Sequence, residues 1–184
     1  MLKILKMLHP LYRARHRKAQ QLYAQIVAQS RQPFLYSDFG VPDTLDGRFD
    51  CILLHASMVI HALAIHGESG QILAQDLFDV MHQDFVDNLR QIGIGDLSIA
   101  RHFRRMSEGF NGRLRAYNNF AHLEEPDAVA VISRNIFREQ DPHKCPHAKK
   151  LTIYAKELYQ NLHILSYNQI SSTPFQTDTA GIAA

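Results

Sequence analysis

His143-x-Cys145-x-His147 is the densest run of metal-ligating side chains in this sequence. Thiolate and imidazole are zinc ligands, but a closed structural site takes four of them. The other cysteine, Cys51, falls in a long apolar stretch, and Pro142 and Pro146 stiffen the loop without adding a ligand. A metal- or heme-handling protein using the His143/Cys145/His147 loop is therefore the second reading of the chain. His55, His61 and His66 form another set, but no two of them have the i,i+4 spacing of a helical ligand pair. Only His55 and His66 share a face, and all three read as hydrogen-bonded core or boundary histidines. A closed polar pocket around His55 and His66 would instead favour an enzyme.

Other patterns carry less chemistry. Gly93-x-Gly95 has part of a phosphate-binding spacing, yet no strand precedes it and the full glycine fingerprint is missing. Asp76, Asp79, Asp84 and Asp87 lack a calcium-loop pattern and read as a solvated helix face. No nucleophile elbow supports a catalytic triad. Arg101, Arg104 and Arg105 differ from all of these. Spaced i, i+3 and i+4, they put planar donors on one patch, with Glu108 to neutralise them and Arg115 to add to them. A solvated face normally mixes signs by i,i+4 pairing. Arginine suits bidentate capture of carboxylates or phosphates and is enriched in protein interfaces, so this face is expected to bind a partner.

The elements that must carry these residues are helical nearly throughout. Leu22, Tyr23, Ile26 and Val27 recur at helical spacing from about residue 15 to 29, and Pro33 stops the run. Thr44 or Asp46 is the expected N-cap of a helix over about 48–66. That helix is apolar on nearly every side, falls short of a membrane span and is interrupted by histidines, so it is the core helix. Helices follow over about 71–91, from a cap at Asp96 or Ser98 to about 122, over 126–137, and over 148–167. The expected fold is all-α: a single-domain bundle of about six to seven helices around an apolar central helix. Residues 1–18 form a basic N-terminal arm, 19–168 the helical domain, and 169–184 a disordered tail.

Charge is distributed unevenly. Residues 1–37 hold seven Lys or Arg and no carboxylate, leaving 13 basic against 18 acidic residues in the remainder. A basic arm on a mildly acidic body points to an anionic partner. Lys3 and Lys6 interrupt the apolar start and Pro10 follows, so it is not a secretory signal. A short interfacial anchor and a terminus packed on the body both remain open. Two cysteines make no disulfide framework, which suits a reducing compartment.

Val41-Pro-Asp-Thr-Leu-Asp-Gly-Arg-Phe-Asp50 and Ile92-Gly-Ile-Gly-Asp-Leu-Ser98, with Phe103-Arg-Arg-Met106 and Phe110-x-Gly112-Arg113 after it, resemble the signatures of the ubiquinol–cytochrome c reductase chaperone family. Leu22-Tyr23-x-x-Ile26-Val27 and Arg134-Asn-Ile-Phe137 add to the match, which spans roughly residues 20–165. The resemblance implies an all-helical assembly chaperone for the cytochrome bc1 complex that binds newly made cytochrome b, without cofactor, metal, nucleotide or catalysis. It implies partner-binding or motif-supporting roles for Arg48, Asp96, Arg101, Arg104, Arg105 and Arg113. The chain lacks a transit peptide and so looks like a bacterial member. It is expected in the cytoplasm, or peripheral at the inner face of the cytoplasmic membrane, with the basic arm meeting a ribosome or an anionic membrane surface and no DNA. An open groove lined in part by the arginine helix is expected on such a protein.

Overall fold

A computed structural model of the chain describes residues 10–91, 93 and 95–172; the side chains at positions 96, 97, 100, 102, 103, 105 and 106 lie outside that description. The first described helix is α1 (Pro10–Ser30). Ala19, Leu22, Tyr23 and Ile26 bury one stripe of it. Residues 10–18 of the basic arm are thus the first turns of a helix continuous with the body. After α2 (Pro33–Ser37), Gly40 turns the chain at φ +68, where a Cβ would lie 2.6 Å from the ring of His147.

The core helix, α3 (Leu45–Ala64), starts earlier than the apolar run indicates because Thr44 caps it: Thr44 Oγ1 accepts from the Gly47 N–H at 3.1 Å. It is long and apolar enough to cross a membrane, contrary to the expectation from sequence, but most of it is buried inside the bundle. Its neighbours are α1, α4 (Gly67–Gln91), α5 (Asp96–Ala116), α7 (Pro146–His163) and α8 (Tyr167–Ser172). Gly70 permits the tight α3–α4 crossing, since a Cβ there would lie 2.0 Å from the Leu63 carbonyl oxygen.

α1 and α4 run parallel. Arg15 pairs with Asp76, and the Tyr23 hydroxyl donates to Asp84 at 2.8 Å, both across the same 61-residue separation. Those two aspartates therefore hold α1; Asp76 is buried in doing so, whereas Asp79 and Asp84 are exposed and Asp87 is half-exposed, as a solvated face requires. α3 and α7 are also parallel, with His55 against Tyr154 and His61 facing the last turns of α7. As a result, the N-terminal ends of α1 and α4 meet the C-terminal ends of α3 and α7 at one pole of the molecule.

Four other boundaries differ from the expected ones. Gly95, not Asp96 or Ser98, stands at the cap of α5. That helix ends at Ala116 because Tyr117 turns into the core and Asn119 adopts φ +53 before a 3-10 turn, Phe120–His122. α6 (Glu125–Ile132) gives way to a π turn, Ser133–Phe137, that stops at Arg138 with φ +58. Residues 169–172 of the expected tail belong to α8, where Ile170 is fully buried. All eight α-helices among the described residues pack without a strand, as the all-α expectation holds.

Candidate functional site

The segment 41–50 builds the entrance of α3 and, beneath it, a buried ion cluster. Val41 is buried, and the Gly47 backbone lies so close to Pro42 that a Cβ would come within 2.0 Å of its carbonyl oxygen. One turn further, Asp50 is 1% exposed and accepts from Arg113 at 2.5 Å and from Arg138 at 3.3 Å. Arg138 also donates to Asp46 at 2.8 Å. Burial pushes the Asp50 carboxyl above its ordinary value, with both guanidiniums pulling the other way. The cluster ties α3 to α5 and to the turn after α6. Arg113 thus faces inward, whereas Arg48 is exposed and donates to Asp43 at 2.6 Å.

On α5, Arg101, Arg104 and Arg115 are exposed. Arg104 donates to Glu108 at 2.9 Å. Asp96 and Arg105 lie on the same helix, but their side chains are outside the described part. The six candidate residues therefore do not converge: the exposed arginines lie along α5, Arg48 lies at the mouth of α3, and Arg113 is engaged with the core.

A different place combines space with accessible apolar surface. An open cleft of about 520 Å³ lies between the C-terminal ends of α3 and α7 and the chain that follows α5. His61, Ala64 and Ile65 form one wall, and Tyr159, His163 and Ile164 face them. Asn118, Asn119 and His122 close the floor, and no carboxylate lines it. No lining residue belongs to the arginine helix itself, contrary to the expected groove. Ile65 and Ile164, 59% and 81% exposed, stand at the rim. Both sit at the caps where their helices end.

The cleft histidines are held rather than loose. The His61 ring donates to the Leu114 carbonyl at 2.7 Å. His163 stacks on Tyr159 with centroids 3.8 Å apart and donates to the Tyr159 carbonyl at 2.8 Å. Burial lowers the pKa of both, and for His163 the neighbouring His61, His122 and His66 lower it further. At neutral pH the walls are thus uncharged, wide enough for several apolar side chains and edged by amides. The sequence grouped His61 with the wrong partners: its neighbours come from two other elements. No signal in the sequence marked the site, because Ile65 and Ile164 fall inside the helices expected over 48–66 and 148–167 and stand past helix ends only in the structure.

The two rival sites do not assemble. Cys145 is buried while His143 and His147 are exposed, and His147 stacks on Phe137. Among the described residues no group of three or more His, Cys, Asp or Glu could hold a metal. His55, 2% exposed, is sealed in the core. Its Nδ1 donates to the Cys51 carbonyl at 2.8 Å, so its Nε2 accepts from the Tyr154 hydroxyl at 2.8 Å, which in turn accepts from Gln29 at 3.0 Å. Desolvation pushes its pKa down to about 4, a neutral core histidine without access to substrate. His66 does not share this site.

Comparison with known proteins finds the ubiquinol–cytochrome C chaperone family model matching residues 37–178. The ubiquinol-cytochrome-c reductase complex assembly factor 1 of Xenopus laevis is 20% identical over 147 residues, covering 80% of this chain and 72% of that protein. The crystal structure of the Cbp3 homolog from Brucella abortus superposes with a TM-score of 0.79 at 27% identity, covering 96% of this chain and 98% of that one.

Proposed function

Because the chain belongs to the ubiquinol–cytochrome c chaperone family, we propose that it binds newly made cytochrome b and holds it for assembly into the bc1 complex, without catalysis or nucleotide. The observation that carries this reading is the open cleft with Ile65 and Ile164 exposed at its rim. Exposed large apolar side chains around a concavity mark a surface that is covered in use. Cytochrome b is an integral membrane protein, and its unassembled apolar segments are the chemistry that uncharged walls accept. The reading sets the work of this chain beside the membrane.

Arg101 and Arg104, with Arg105 and Asp96 on the same helix and Arg48 at the mouth of α3, are proposed to engage polar loops of the same client. Arg113 supports them by fixing α5 through Asp50. Arg101 is 13 residues from Leu114, or about 20 Å along the helix axis, so the client must span that distance if both surfaces bind it.

The test is recovery of cytochrome b from membranes rich in the unassembled protein. Wild type is compared with Ile65→Asp/Ile164→Asp and with Arg101→Ala/Arg104→Ala/Arg105→Ala, each shown folded by circular dichroism. Recovery by wild type and loss by the isoleucine variant is the expected outcome. Loss only in the arginine variant would move the client to α5. No recovery by any protein would discard the cytochrome b reading.

A further inference from the structure

Three of the five large hydrophobic side chains most exposed among the described residues stand at a single pole: Leu11 (73%), Ile65 and Ile164. They arrive from three elements, the first turn of α1, the end of α3 and the end of α7. The parallel pairing of α1 with α4, fixed by Arg15–Asp76 and Tyr23–Asp84, carries Pro10 to that same end. Lys18 lies over the Tyr167 ring at 5.7 Å, bringing the basic turns of α1 alongside the chain that follows Ile164.

Basic side chains are in excess at this pole. Arg13, Arg17 and Lys18 are exposed on α1, while Asp76, the carboxylate facing that helix at its start, is already neutralised by Arg15. On the adjoining helix α4, Glu68 in the first turn and Asp79, level with Lys18 in the same register, are exposed, so the basic side chains outnumber the acidic ones without excluding them.

We propose that this pole is a bilayer-docking surface: Leu11, Ile65 and Ile164 enter the interface while Arg13 and Arg17 meet anionic headgroups. Apolar residues among basic ones, with no carboxylate before Asp38, match the anionic interface on both counts. A folded RNA offers phosphates but nothing for the isoleucines to bury against, so lipid is the better fit. Docking in this orientation presents the mouth of the cleft at headgroup depth, where an apolar client segment would leave the bilayer. The proposal does not depend on the identity of the client.

The test uses the full chain and sedimentation with vesicles of phosphatidylcholine alone or with about one third phosphatidylglycerol. Binding to the anionic vesicles that weakens with salt is expected. Arg13→Gln/Arg17→Gln should weaken it about thirtyfold, from about 1 kcal/mol per cation near an anionic surface. Ile65→Ser/Ile164→Ser should weaken it as well, and Leu45→Ser, at the far end of α3, should not. The chain contains no tryptophan, so Ile164→Trp supplies a single indole that can be excited apart from the tyrosines; its emission should shift to the blue on vesicles, and that of Leu45→Trp should not. Absence of binding, equal binding by all variants, or an unshifted emission spectrum for Ile164→Trp would overturn the proposal. So would tighter binding to ribosomal RNA than to vesicles, lost with the same two arginines.

Discussion

At the scale of single residues, the polar groups inside this bundle are explained by their partners. His55 is neutral in the fold, with its pKa lowered from 6.5 to about 4 by desolvation. Below pH 6.5 the unfolded chain takes up a proton that the folded chain refuses, so stability falls as pH drops from about 6.5 towards 4. The full effect is about 3 kcal/mol. His61 and His163 shift in the same direction, so the comparison must be differential. The urea midpoint of wild type should fall more steeply between pH 7 and 5 than that of His55→Gln; parallel curves would refute the assignment. Asp50 makes the opposite demand. Asp50→Ala leaves Arg113, and in part Arg138, facing a buried gap and should cost about 3 kcal/mol in denaturant unfolding. A loss below about 1 kcal/mol would mean that water replaces the carboxylate.

At the scale of elements, the motif at 41–50 was visible in the sequence, but its purpose was not. Its residue types suggested a helix entrance followed by binding residues. In the structure the same letters form a cap, a close backbone approach and an ion cluster. Gly47→Ala should therefore destabilise by about 1–3 kcal/mol or more, because the new methyl meets Pro42 backbone rather than a movable side chain. Thr44→Ala should cost about 1 kcal/mol through the lost cap. Thermal unfolding of the two variants checks both, and the glycine substitution should be the worse. Helix ends were misjudged where the cause was tertiary. α5 stops at Ala116 because Tyr117 is buried beside Phe120, which no local propensity announces.

At the scale of the whole molecule, exposed isoleucines at one pole are kept for contact with something else, not for folding. Ile65→Ser/Ile164→Ser should leave the thermal midpoint within the change expected of about 0.5 kcal/mol at a surface site. The same variant should lower the fluorescence of a dye that binds apolar surface. A large fall in stability would instead make these residues part of the core.

The sequence by itself determined the all-α class, the buried central helix and the family, because helical periodicity and motif spacing are local properties. It also singled out the arginines of α5, a pattern repeated within one helix. Only the tertiary structure decided that Arg113 turns inward to Asp50, that Asp76 is buried against α1 and that Asp84 accepts from Tyr23. It alone brought His61, His122 and His163 into one cleft and gathered Leu11, Ile65 and Ile164 at one pole. Those groupings depend on which helices run parallel and which ends meet, and that is set by packing between segments far apart in the chain, where a pattern read along it has no reach.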